Sequence, residues 1–88
     1  MKISVIGCGY LGAVHAACMS SLGHSVIGVE TNPVRLAALT KGRAPFHEPG
    51  FDALLDEQVT AGRLTFTDAL SREDAVDVDI HFLTVGNY

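Results

Sequence analysis

The apolar positions of this chain come in two alternating patterns, and their order predicts the fold. Ile3 to Ile6 is a short, nearly unbroken apolar run ended by Gly7, the pattern of a strand covered on both faces as in a parallel sheet. From Tyr10 to about Leu22 the pattern turns helical, with small or apolar side chains at Ala13, Ala16, Ala17 and Met19, and Gly23 is placed to end the helix. Small residues of this kind suit a helix packed closely on a sheet.

Ser25 to Val29 predicts a second strand. Asn32 followed by Pro33 then reads as a cap with proline at the first helical position, opening a helix through about Thr40. Lys41 to Gly50 contains Gly42, Pro45, Pro49 and Gly50 and predicts an irregular loop, whereas Phe51 to Ala61 recovers helical spacing through Phe51, Leu54, Leu55 and Val59 before Gly62. Leu64 to Thr67 predicts a third strand and Asp68 to about Ala75 a short helical or turn segment. Asp79 to Val85 predicts a fourth strand with Ile80, Phe82, Leu83 and Val85 as its core. Strands alternating with helices point to an α/β fold with a parallel sheet, a Rossmann-type arrangement of which this is the N-terminal half.

Length and composition narrow the function. A chain of 88 residues is one small domain at most. A hydrophobic fraction of 48% with 18% charged residues is that of a globular chain. The net charge of -4, with six basic residues scattered along the chain, argues against nucleic acid and anionic lipid as partners. Cys8 and Cys18 form neither a CxxC pair nor a disulfide framework, which fits a reduced, cytoplasmic setting with both as packing residues. The opening residues have neither a signal-peptide pattern nor a span of ~20 apolar residues, so neither export nor membrane insertion is expected. His15, His24, His47 and His81 lack metal-ligand spacing, and no metal is expected.

The chemistry is concentrated in Gly7-Cys8-Gly9-Tyr10-Leu11-Gly12, a GxGxxG between the first strand and the first helix. In that setting Gly7 permits a tight turn, Gly9 leaves room for a pyrophosphate to approach the backbone, and Gly12 lets the helix lie close to the strand. Amides around Tyr10 and Leu11, at the positive end of the helix dipole, would face the phosphates. A bare glycine turn with no ligand is the competing reading. Glu30 weighs against it, because it closes the second strand 18 positions after Gly12 (30 minus 12), near the offset at which a carboxylate takes the ribose hydroxyls of an adenine dinucleotide. A carboxylate there repels a 2′-phosphate and favours NAD over NADP. Arg35, one turn later, has two open roles: a contact to the cofactor, or a solvated residue paired with Glu30.

These residues resemble the UDP-glucose 6-dehydrogenase family, within the wider nucleotide-sugar dehydrogenases that also oxidise GDP-mannose and UDP-N-acetylmannosamine. The resemblance covers nearly the whole chain. It is carried by residues 1–12, by Gly23 to Glu30, and most specifically by the loop Ala44-Pro45-Phe46-His47-Glu48-Pro49-Gly50-Phe51, which has no generic dinucleotide-binding rationale. It implies that the Leu11 backbone meets the cofactor, that Glu30 is the ribose-binding acid where the family usually has Asp, and that Arg35 contacts NAD. At the chain end the family pattern Val-Gly-Thr-Pro is replaced by Val85-Gly86-Asn87-Tyr88, so Asn87 stands where a threonine approaches NAD.

By the same resemblance, residues 1–88 are the NAD-binding part, and the catalytic and C-terminal substrate domains are expected beyond Tyr88. The intact enzymes carry a sugar C6 alcohol through an aldehyde and a cysteine thiohemiacetal to the acid, with two hydride transfers to NAD. Catalytic residues are therefore expected to be absent here, and Cys8, in a variable position of the glycine loop, is not the nucleophile. Glu48 is equally suited to placing a substrate or domain interface and to capping its loop. The expected partners are a small-molecule nucleotide sugar and, because a half-sheet exposes an edge, further copies of the chain. Two rivals are a stand-alone dinucleotide-binding module and an empty glycine turn in a self-associating fragment.

Overall fold

A computed structural model describes residues 1–44 and 49–84 of the chain. The elements are β1 (Lys2–Ile6), α1 (Tyr10–Ser21), β2 (Ser25–Val29), α2 (Pro33–Thr40), α3 (Phe51–Thr60), β3 (Leu64–Thr67), α4 (Arg72–Asp77) and β4 (Ile80–Leu83). The strands form one parallel sheet in the order β3-β2-β1-β4. Reversal of direction along the sheet at β1, with β2 on one side and β4 on the other, is the topology of a doubly wound α/β half.

Register explains the core. Ile3 lies opposite Val26, which lies opposite Leu64, so all three project to one face of the sheet. They bury there with Val5, the α1 alanines Ala13, Ala16 and Ala17, and Leu39, Phe51 and Leu55 from the later helices. Full burial of a branched side chain such as Ile3 or Leu55 contributes about 1.5–3 kcal/mol, whereas the alanines contribute chiefly by bringing the α1 backbone close to the sheet. Phe82 of β4 belongs to the same face, its ring meeting His15 of α1 edge-on at 4.5 Å between centroids. Two buried polar side chains are paired locally: the Ser20 hydroxyl donates back to the Ala16 carbonyl at 2.6 Å, and Gln58 Oε1 accepts from Arg63 Nε at 2.8 Å.

The structure departs from the sequence expectation in three places. The segment expected from Asp68 to Ala75 is a turn followed by α4, which starts later because the Ser71 hydroxyl accepts from the Asp74 amide at 3.1 Å and caps the helix. On β4, Phe82 is partly buried, but Ile80 and Leu83 are exposed, Leu83 at 72%. Among the described residues β4 pairs only with β1, and Leu83, opposite Ile6, lies on the other face of the sheet from Phe82. Val85, expected to extend that strand and its core, lies outside the described residues. Cys18, expected to pack, is exposed, because the inward face of α1 is taken by Ala13, Ala16, Ala17 and Ser20 and residue 18 falls on the outer face with Leu11 and Leu22.

Candidate functional site

Parallel strands all end at the same side of the sheet, so the residues after β1, β2 and β4 meet there. The glycine loop leaves β1 through Gly7, whose φ of +92° lies in the left-handed region. Its amide donates to the Val29 carbonyl at 2.9 Å, tying the loop to the end of β2. Its carbonyl accepts the Thr84 hydroxyl, while the Thr84 amide donates to the Ile6 carbonyl at 2.9 Å, tying the loop to the end of β4. A Cβ on Gly7 would stand 2.7 Å from the Thr84 carbonyl oxygen. One on Gly12 would overlap the Gly7 carbonyl oxygen and come within 2.5 Å of Thr84 Oγ1. Gly7 and Gly12 are thus required for close packing within the protein.

Gly9 differs. A Cβ built on it meets nothing within 4 Å. It is the N-cap of α1, makes no side-chain capping bond, and is followed by a first turn that holds no acidic residue. At the positive end of α1 there is thus room beside Gly9, and Tyr10 and Leu11 are exposed next to it.

Glu30 stands one residue beyond the Val29 carbonyl that receives the Gly7 amide, which puts the acid and the glycine loop at one edge of the sheet. It is only 5% exposed. Its amide donates to the Thr67 carbonyl at 2.9 Å, its Oε2 accepts the Asn32 amide at 2.8 Å, and its Oε1 is 3.4 Å from Arg35 Nη1. Asn32 in turn caps α2, its Oδ1 accepting from the Val34 and Arg35 amides at 3.0 and 3.1 Å. Carboxylate, cap and guanidinium form one connected unit in which a buried negative charge is both paired and hydrogen-bonded, as burial requires. Arg35 is thus paired with Glu30, its side chain 42% exposed.

Cys8 lies beneath this unit, fully buried, with its thiol donating to the Val5 carbonyl at 3.6 Å. Burial, and next to it the charge of Glu30, pushes the thiol up to about 12 from an ordinary 9.0. It stays protonated at physiological pH, which removes it as a nucleophile.

Two contributors were not read from the sequence. Thr84 locks the glycine loop to β4, and only the alignment of strand ends makes that visible. Gly28 leaves room for Phe66 and Cys8, since a Cβ on it would approach the Phe66 ring to 2.6 Å and Cys8 Sγ to 2.9 Å; a glycine inside a strand was the available signal. Asn87 and Glu48 lie outside the described residues. Among the described residues no group of three or more His, Cys, Asp or Glu side chains could hold a metal ion. No helix among them is long and apolar enough to cross a membrane.

Comparison with known proteins bears on this edge of the sheet directly. The sequence profile described as the UDP-glucose/GDP-mannose dehydrogenase family, NAD binding domain, matches residues 1–87. The chain is 43% identical over 86 residues to a UDP-glucose 6-dehydrogenase of Pseudomonas aeruginosa, covering 98% of this chain and 19% of that protein. It is 41% identical over 86 residues to a GDP-mannose 6-dehydrogenase of the same organism, covering 98% of this chain and 20% of that one. Among solved structures, a ternary complex of the Pseudomonas aeruginosa GDP-mannose dehydrogenase superposes with a TM-score of 0.90 at 41% identity, over 98% of this chain and 20% of that one. A UDP-glucose dehydrogenase of Pyrobaculum islandicum gives 0.85 at 37% identity, over 96% and 19%. The chain therefore spans about a fifth of the length of these relatives. With the expected sheet, glycine loop and acid in place, the chain belongs to the UDP-glucose/GDP-mannose dehydrogenase family and corresponds to its NAD-binding domain.

Proposed function

We propose that this chain forms the adenosine-and-pyrophosphate half of the NAD site of a UDP-glucose 6-dehydrogenase. The observation that carries the reading is the Gly7 amide to Val29 carbonyl bond, because it fixes an uncapped helix start and a buried carboxylate side by side. The residues present fit the cofactor: the space that a Cβ on Gly9 would enter is open, and a paired, buried acid stands at the next strand end. Gly7 and Gly12 shape the loop, the Gly9, Tyr10 and Leu11 backbone receives the pyrophosphate, Glu30 accepts from the ribose hydroxyls, and Arg35 lines the same edge. Asn87, which stands where a threonine of the family approaches NAD, belongs to the same proposal. When bound, NAD supplies a hydride acceptor.

Cys8 is buried and protonated and provides no nucleophile at this edge. The chain binds and orients, and the oxidation is assigned to the remainder of a full-length dehydrogenase. Family membership makes the substrate a nucleotide sugar. The finer assignment to UDP-glucose is supported by 43% identity over 86 residues to the UDP-glucose enzymes of Pseudomonas aeruginosa and Rhizobium meliloti, against 41% over 86 residues to the GDP-mannose enzyme of Pseudomonas aeruginosa and 43% over only 67 residues to that of Pseudomonas putida. That narrow margin makes a direct test decisive: NADH formation by a polypeptide of the relatives' full length that carries this segment, with UDP-glucose and GDP-mannose compared. Faster turnover of UDP-glucose is expected, and faster turnover of GDP-mannose overturns the assignment.

A further inference from the structure

We infer that Thr84 is a positioning residue for the cofactor: its hydroxyl sets the orientation of the Gly7–Cys8 peptide and, through it, of the loop whose amides receive the pyrophosphate. This rests on the proposed cofactor site and deepens it, adding a side chain that acts on NAD without touching it. A threonine hydroxyl has one proton to donate. Two carbonyls lie within its reach, that of Ile6 at 3.2 Å and that of Gly7. The Ile6 carbonyl already accepts the Thr84 amide at 2.9 Å, whereas among the described residues the donor on the Gly7 carbonyl is the Thr84 hydroxyl. The proton therefore belongs on Gly7. That carbonyl also lies against the Cα of Gly12, where a Cβ would overlap it, so it sits in a crevice between α1 and β4 with little room for a water to replace the hydroxyl.

The two peptides that flank Gly7 are held differently. The one before it is pinned at both ends by backbone, its carbonyl by the Thr84 amide and its N–H by the Val29 carbonyl, each at 2.9 Å. The one after it is held at its carbonyl by a side chain. Gly7 does not fix that second peptide by itself, because a glycine at a φ of +92° lacks the Cβ that makes one peptide orientation sterically preferable to its flipped form. The peptide is planar and trans, so a carbonyl turned inward to Thr84 turns the Cys8 N–H the other way. A flip would point the carbonyl oxygen away from β4 and bring a partial negative charge to a loop that has to receive an anion. The freedom that lets glycine make the turn thus requires an outside group to choose its orientation, and Thr84 is that group.

Thr84→Val keeps the branched shape and removes the donor, whereas Thr84→Ser keeps the donor and removes the methyl group. NAD dissociation constants are measured by calorimetry on the full chain for wild type and both variants. Urea denaturation reads stability, and the Gly7 carbonyl and Cys8 amide resonances are followed in isotope-labelled protein. Thr84→Val is expected to weaken NAD binding about 3- to 10-fold and to shift both resonances, and Thr84→Ser to bind within about 2-fold of wild type with both resonances near their wild-type positions. A threonine with a structural role alone would lower the unfolding free energy of Thr84→Val and leave its NAD dissociation constant unchanged, and that result overturns the inference while leaving the cofactor site intact. A Thr84→Ser chain that binds NAD as weakly as Thr84→Val overturns it equally. Absence of NAD binding by wild type overturns both the inference and the site. If Thr84→Val does not fold, Thr84→Ser decides alone: an affinity within about 2-fold of wild type supports the inference, and a larger loss overturns it.

Discussion

Helices α1 and α2 start at the same edge of the sheet, one after β1 and the other after β2, and they begin in opposite ways. At α2 the chain supplies everything a helix start needs: Pro33 at the first position and Asn32 accepting two first-turn amides. At α1 it supplies no side-chain cap and no acid, and it places a glycine whose missing Cβ faces open space. α4 resembles α2, with Ser71 as cap and Glu73 and Asp74 in its first turn. The difference teaches how a helix end is kept for function. A glycine at the start forgoes only roughly a few tenths of a kcal/mol of local stabilisation and leaves the positive end available to an anion.

The contrast can be broken most severely at Gly12, which holds the start of α1 against the loop. Gly12→Ala pushes a methyl group into the Gly7 backbone and Thr84 and is expected to lower unfolding free energy by about 3 kcal/mol or more, measured by urea denaturation. Alkaline pH acts on the thiol between the two helix starts, and over its whole window the effect is of the same order. Cys8 titrates higher in the folded chain than in the unfolded one, so its contribution is fully present below pH 9.0 and is lost as pH rises towards about 12. Stability should fall by up to ~1.4 kcal/mol per pH unit across that window from this group, and Cys8→Ala should flatten the profile. In the folded chain at pH 8, iodoacetamide should label the exposed Cys18 and spare Cys8.

Asn32→Ala removes the cap that distinguishes α2 and should cost about 1 kcal/mol in the same denaturation assay, without abolishing NAD binding. Gly9→Ala should have the smallest effect on stability, within about 0.5 kcal/mol, because a poorer capping residue is offset by reduced freedom of the unfolded chain at a φ of -70° that alanine tolerates. It should nevertheless weaken NAD-dependent thermal stabilisation by placing a methyl group in the space left for the pyrophosphate. A Gly9→Ala chain that binds NAD as wild type does would erase the distinction between the two helix starts.

Much of this was legible in the sequence because local chemistry and tertiary position agree. Ser25–Val29 and Leu64–Thr67 were readable to the residue, since apolar runs bounded by turn residues leave little choice of ends. That Glu30 and the glycine loop lie together at one edge of the sheet was readable from their spacing. Where position overrides pattern, the sequence was silent: Ile80 and Leu83 look like core residues until β4 is known to pair only with β1 among the described residues, and Cys18 until the inward face of α1 is known to be filled by smaller side chains. The late start of α4 was available in Ser71-x-x-Asp74, a capping pattern. The Thr84 lock was not, because it joins residues 77 positions apart through register alone.

The central claim is that the first turn of α1 and the end of β2 bind one ligand together. Titrating the isotope-labelled chain with NAD while following backbone amide resonances tests it most directly. Saturable shifts are expected at Gly9, Tyr10, Leu11 and Asn32, moving with a single dissociation constant and lost in Gly9→Ala. Resonances that do not move, or that move at α3 and β3 while the glycine loop stays still, would contradict it.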